Sequence, residues 1–183
     1  MEKADFRREA RARAKRLTPE ERMRASRSIA EQVFALPAWR QAGTVMAYAA
    51  LPTEPDTREI ILRAAAEKKT VLLPRCLQAP RMLALPWRGD GEMEPGYLGI
   101  PEPRMEAGAE LRPDLILIPC VAAARDGIRL GHGAGYYDWF LKEQQGMKVC
   151  LCFSALLFDE LPAEEWDIRM DRVISDLTPE SGI

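Results

Sequence analysis

A chain of 183 residues is little longer than one ordinary domain of ~150, and it buries enough surface to fold without disulfide or metal staples. Its 26 basic and 28 acidic side chains leave a net charge of −2, which argues against nucleic acid or an anionic membrane as the main partner. Hydrophobic and charged shares of 47% and 30% exclude a disordered chain, and four sparse cysteines (Cys76, Cys120, Cys150, Cys152) read as reduced thiols in the cytoplasm.

The first 31 residues hold ten basic and six acidic side chains, a local +4 that leaves −6 for the remainder. Residues 3–17 predict a helix, with Phe6, Ala10, Ala14 and Leu17 on one stripe and Arg7, Arg8, Arg11 and Lys15 elsewhere. Thr18-Pro19-Glu20-Glu21 then reads as a capping box with proline in the first turn. The helix it starts is expected to bury Met23, Ala30, Val33 and Phe34 and to stop at Pro37. Strand and helix alternate from there. Residues 44–49 read as a buried strand, 56–69 as a helix and 70–73 as a short strand ended by Pro74. The Pro- and Gly-rich residues 75–110 offer only a short strand candidate at 82–85. Residues 115–118 form the most apolar strand, inside an apolar stretch that Pro119 interrupts and that is too short to span a bilayer. A glycine loop follows, then a helix over 136–145 and strands at 148–153 and 171–175. No repeat or linker divides the chain. The expected fold is α/β: a single three-layer domain over residues 1–183, with a mainly parallel central sheet and helices on both faces.

In such sheets ligands collect beyond the carboxyl ends of the strands, where the loop holding Glu54 and the glycine loop both emerge. The glycine loop carries the strongest signal. In Arg129-Leu130-Gly131-His132-Gly133-Ala134-Gly135-Tyr136-Tyr137-Asp138, glycines at alternate positions strip side chains from a stretch that leads into a helix. Backbone N–H groups there can point at an anion, Arg129 can neutralise it, and Asp138 can hold an accompanying magnesium. The string is neither a P-loop nor the dinucleotide fingerprint, which would need glycine at Tyr136. The same glycines would also suit a plain strand-to-helix turn, and composition alone leaves the two readings even.

The whole string closely resembles the nucleotide-binding loop of the 5-formyltetrahydrofolate cyclo-ligases. Other segments resemble that family in the right order. They are Lys3-x-x-x-Arg7 with the Thr-Pro-Glu-Glu-Arg turn and Ser26; residues 50–57 around Glu54; Ile100-Pro101-Glu102-Pro103; residues 114–119; and Asp167-Ile168-Arg169-Met170-Asp171. The resemblance implies ATP-dependent closure of 5-formyltetrahydrofolate to 5,10-methenyltetrahydrofolate, with ADP and phosphate released. A formamide is a poor electrophile, and phosphorylating its oxygen makes that oxygen a leaving group. The protein must then align groups, neutralise charge and exclude water.

By resemblance, Lys3, Arg7, Arg129 and the loop Leu130, Gly131, His132, Gly133, Ala134, Gly135, Tyr136 and Tyr137 would hold ATP. Asp138 and Asp167 would be the Mg2+ ligands, Arg129 and Asp138 would carry the catalysis, and Glu54, His132 and Tyr136 would line the folate. Two positions depart from the family. His132 stands where arginine or an aromatic is frequent, and Trp139 where arginine is usual. On composition alone, Lys3 and Arg7 would be solvated helix residues, Glu54 a loop carboxylate and Asp167 part of a wet acidic run. The expected partners are small molecules, with no nucleic acid, no membrane and a monomeric chain. Zinc is not expected: there is one histidine and no cysteine pair at finger spacing, and Cys150 and Cys152 share a strand face. The alternative functions are a sugar-phosphate isomerase-like enzyme on a related scaffold, which would need neither ATP nor metal, and a noncatalytic nucleic-acid binder using the basic first helix.

Overall fold

In a computed structural model, which describes residues 2–105 and 110–177, the predicted capping box is formed. The Glu21 N–H donates to the Thr18 hydroxyl at 3.2 Å, and the Thr18 N–H donates to the Glu21 carboxylate at 2.7 Å. The box separates α1 (Lys3–Arg16) from α2 (Pro19–Ala35). The buried stripe of α2 is Ser26, Ile29, Ala30 and Val33, at the spacing of one helix face. Met23, expected in the core, is 63% exposed because the stripe begins one turn later and Met23 lies in a surface cleft. Phe34 is half-buried, edge-on to Trp39 with centroids 5.1 Å apart. Pro37 does more than stop α2. Its fixed φ suits a first helical turn, and it opens the unexpected α3 (Pro37–Gln41), which buries Trp39.

The remaining elements in chain order begin with β1 (Thr44–Met46), α4 (Arg58–Ala66), β2 (Thr70–Cys76), β3 (Met82–Pro86), β4 (Met93–Pro95) and β5 (Pro101–Pro103). Then come β6 (Leu115–Ile118), β7 (Ala122–Ala124), β8 (Arg129–Leu130), α5 (Tyr136–Leu141), β9 (Met147–Leu151), β10 (Leu157–Phe158) and β11 (Arg172–Ile174). The main sheet runs β11-β9-β6-β1-β2-β3, parallel throughout except for the antiparallel edge strand β3. The expected mainly parallel α/β sheet is therefore present, with helices around it. All four residues of β6 at its centre are buried, as a strand covered on both sides requires. Cys120, Cys150 and Cys152 are buried free thiols in this core. Among the described residues no helix is long and apolar enough to cross a membrane.

Three local differences shape the site. First, β2 does not stop at Pro74. The partner strand β1 ends at Met46, opposite Leu72, so the missing N–H of Pro74 falls on a side where the ladder has already finished. Second, the apolar run after Pro119 hides a hairpin, β7 against β8, which delivers Arg129 to the sheet edge. Third, α5 is one short stretch, Tyr136–Leu141, rather than the expected residues 136–145.

Candidate active site

The strand-length difference between β1 and β2 leaves a notch at the carboxyl edge of the sheet. It opens as a cleft of about 530 Å³, within the usual size of small-molecule sites. Of the residues singled out from the sequence, Lys3, Arg7, Glu54, Arg129, Gly131, His132, Gly133, Ala134, Gly135, Tyr136, Tyr137, Asp138 and Asp167 all line this one cleft. Leu130 is the exception; its side chain is buried in the core beside β8.

The glycine loop wraps one wall. Gly133 and Gly135 hold φ of +107° and +76°, left-handed conformations that L side chains resist, and Gly135 starts α5. At Gly131 the reason is space: a Cβ would stand 2.9 Å from Nη1 of Arg129. With it absent, the guanidinium lies almost wholly buried, 2% exposed, over the Tyr137 ring at 5.4 Å. Nη2 of Arg129 donates to Oδ1 of Asp138 at 3.1 Å. Two buried donors on this wall, Arg129 Nε and the Tyr137 hydroxyl, have no hydrogen-bond partner among the described residues. Burial pushes the Tyr137 phenol far above its ordinary pKa, so it stays a donor at neutral pH. Unsatisfied buried donors are rare and costly, and here both face the need for an acceptor.

The first helix contributes Lys3 and Arg7 to another wall. Arg7 donates Nε–H to the Gly131 carbonyl at 2.8 Å, which leaves its terminal nitrogens available. Lys3 donates to both oxygens of Asp167, at 2.7 and 2.9 Å, and to Glu164. Burial alone would lower the Lys3 ammonium, but hydrogen bonds and charge from Asp167 and Glu164 outweigh it and raise its pKa.

Opposite lies Glu54, its side chain only 4% exposed. Oε2 accepts the Leu51 N–H at 2.8 Å, and Oε1 lies 3.1 Å from Nε2 of His132. The pairing of Glu54 with His132, 78 residues apart in sequence, was not legible beforehand. Tyr136 donates its hydroxyl to the Leu77 carbonyl at 3.1 Å and meets Tyr97 edge-on at 5.0 Å. Tyr97 belongs to the turn between β4 and β5 that forms the lip of the cleft.

Sequence reading placed Glu102 in a Pro-flanked stretch resembling the family but gave it no role. This carboxylate is 3% exposed and accepts the Cys76 N–H and the Tyr97 N–H, both at 3.1 Å. It caps the end of β2 where β1 no longer reaches, and it ties the lip to the sheet. Its one sequence signal was a lone carboxylate between two prolines. Trp139 and Trp166, 39% and 59% exposed, also line the cleft, each adjacent in sequence to one of the carboxylates assigned to a metal.

For magnesium, the donor chemistry is uneven. Asp138 uses Oδ1 on Arg129, while its Oδ2 makes no hydrogen bond among the described residues and the side chain is 32% exposed. Both oxygens of Asp167 are engaged by Lys3, and Oδ2 also accepts the Glu164 N–H at 2.7 Å. No group of three metal-ligating side chains occurs among the described residues. Mg2+ is commonly held by one or two carboxylates with phosphates and waters completing the shell, so the hard oxygens here fit a nucleotide-borne ion.

A sequence model of the 5-formyltetrahydrofolate cyclo-ligase family matches residues 1–176. The 5-formyltetrahydrofolate cyclo-ligase of Escherichia coli (strain K12) is 31% identical over 173 residues, covering 90% of this chain and 95% of that one. The enzyme of the same name from Mus musculus is 26% identical, covering 98% and 96%. The NMR structure of Aquifex aeolicus 5,10-methenyltetrahydrofolate synthetase matches with a TM-score of 0.84 at 28% identity, covering 97% of this chain and 91% of that one. The synthetase structure from Mycoplasma pneumoniae gives 0.76 at 21% identity, covering 97% and 100%, a likeness of fold.

Proposed function

Since the chain belongs to the 5-formyltetrahydrofolate cyclo-ligase family, we propose that the cleft closes 5-formyltetrahydrofolate to 5,10-methenyltetrahydrofolate by transferring the γ-phosphoryl group of ATP to the formyl oxygen. The observation that carries the residue assignment is the pair of buried donors, Arg129 Nε and the Tyr137 hydroxyl, left without acceptors in the wall of the cleft. An oxygen-rich ligand satisfies both, and the transferring phosphoryl group and the formyl oxygen are such acceptors.

In this reading Arg7 and Arg129 hold the phosphates with the backbone of residues 131–137, and Lys3 joins them by exchanging its bonds to Asp167 for phosphate oxygens. Asp138 orients Arg129 through one oxygen, and its other oxygen would hold Mg2+ together with Asp167. When bound, the ion would neutralise phosphate charge. Glu54 accepts hydrogen bonds from the pterin amino and ring N–H groups; an ionised carboxylate has about four acceptor sites, and two are in use. Tyr136 and the lip residue Tyr97 pack on the flat pterin and shield the formyl group from water. The substrates are small molecules and the working unit is a monomer. The four free cysteines, three of them buried as small apolar groups, suit a reducing cytoplasmic setting.

The test is a near-ultraviolet absorbance assay of the purified protein with 5-formyltetrahydrofolate. The conjugated methenyl product absorbs where the substrate does not, and its band is expected only with ATP and magnesium together. Folded protein that produces no such band would overturn the reading.

A further inference from the structure

Ring closure removes a proton, and the phosphate-binding half of the cleft does not account for it. Once the formyl oxygen is phosphorylated, the N10 lone pair attacks the formyl carbon and the N10–C bond forms. N10 is then positively charged and still carries its hydrogen. That N–H bond must break, its electron pair returning to N10, before the C–O bond breaks and phosphate departs with its pair to leave the amidinium. A positioned base speeds such a step by about 10² to 10⁴.

The cleft offers few acceptors. Lys3, Arg7 and Arg129 are cations. The Tyr136 and Tyr137 phenols and the Cys76 thiol are all pushed up by burial and keep their protons at neutral pH. Asp138 is bonded to Arg129 through Oδ1 and its other oxygen is the one assigned to Mg2+, while Asp167 and Glu164 are bonded to Lys3 and Glu102 to two backbone N–H groups. His132 is different. It is the one histidine of the chain, it lines the cleft, and its side chain is 32% exposed. Its Nε2 lies 3.1 Å from Oε1 of Glu54, a nearly buried carboxylate clamped by the Leu51 N–H. In the tautomer that donates Nε2–H to this carboxylate, the imidazole lone pair stands on Nδ1. Nδ1 makes no hydrogen bond among the described residues. An imidazole whose tautomer is set by a buried carboxylate, with its other nitrogen free in a cleft, is the arrangement of a general base.

From this geometry we infer that His132, oriented by Glu54, is the catalytic base that takes the N10 proton on Nδ1 during ring closure. The inference rests on the cyclo-ligase reading. It gives Glu54 a second duty beside pterin binding, and it gives His132 a role distinct from phosphate contact.

The test is a single-turnover experiment on wild type and His132→Gln, following ADP and the methenyl product in the same quenched samples. The glutamine amide can still donate to Glu54 but has no basic nitrogen. Methenyl formation is expected to slow about a hundredfold, far more than ADP formation in the same samples. Equal slowing of both, or slowing of neither, overturns the inference. Added imidazole should speed methenyl formation relative to ADP formation in His132→Gly, and failure of that rescue in folded, ADP-forming protein also overturns it. A wild-type arm that makes no methenyl product with MgATP rejects the cyclo-ligase reading itself, and is thereby told apart.

Discussion

Arg7 and Gly131 are joined by a 2.8 Å hydrogen bond from Nε–H to the carbonyl, so the first helix is fastened to the glycine loop across 124 positions of sequence. The bond both places a guanidinium in the cleft and fixes the glycine loop beside it. Arg7→Ala is expected to raise the KM for ATP by about 10- to 100-fold, the range for losing a charge-assisted bond, with a smaller effect on the KM for folate. Steady-state kinetics with each substrate varied in turn checks this.

Gly131→Ala tests the loop from the other side. The added Cβ would stand 2.9 Å from Arg129 Nη1, so the buried guanidinium must move off Tyr137 and Asp138. A loss of about tenfold or more in kcat is expected, with little change in thermal stability, since the loop lies outside the core. Turnover and melting temperature measured on one preparation separate the two effects.

Glu54 and Asp138 should divide the substrates between them. Glu54→Ala is expected to weaken folate use by at least about tenfold while ATP binding stays near normal, and Asp138→Ala to damage MgATP-dependent turnover. Titrating each variant with each ligand is decisive: equal loss of folate binding in both would show the division to be wrong.

Glu102→Ala removes the acceptor of two backbone N–H groups, at Cys76 and Tyr97. Each stranded donor costs about 1–3 kcal/mol, and the lip that carries Tyr97 loses its tie to β2. Lower stability in urea together with a raised folate KM is the expected pair of results. Gly96→Ala should act alike, because its methyl would overlap the Glu102 side chain.

Cys76 borders the cleft, and burial, followed by the charge of Glu102, pushes its thiol up to about 12 from an ordinary 9.0. The thiolate is the reactive form, so at pH 8 its fraction is about a thousandfold below that of a free cysteine. Iodoacetamide should label Cys76 very slowly at pH 8 and faster as the pH rises. Mass spectrometry of the labelled peptide measures that rate.

What the sequence revealed was chiefly local. The Thr18–Glu21 box, the alternating glycines and the apolar strand at residues 115–118 each depend on neighbours a few positions away, and each is formed. The glycine loop was legible as backbone, because its positive φ at Gly133 and Gly135 and its close approach to Arg129 at Gly131 call for glycine. The pairings that complete the site were not. Glu54 with His132, Lys3 with Asp167 and Glu102 with Cys76 join segments that only the sheet order brings together. Pro74 misled for a similar reason: whether proline ends a strand depends on which side still has a partner, and that is decided by the length of β1. The isomerase-like alternative fell only with the family match, since the phosphate loop alone suits either chemistry.

The shortness of β1 has a further consequence. With three residues where β2 has seven, β1 leaves the end of β2 bare, and Pro74 and Cys76 line one flank of the cleft. That flank belongs to the most rigid layer of the protein, while the glycine loop and the first helix build other walls. The shape of that flank is thereby insulated from drift in the surface segments: the rim, with Tyr97, Trp139 and Trp166, can change its fit to a substrate while the bedrock beneath keeps its contour.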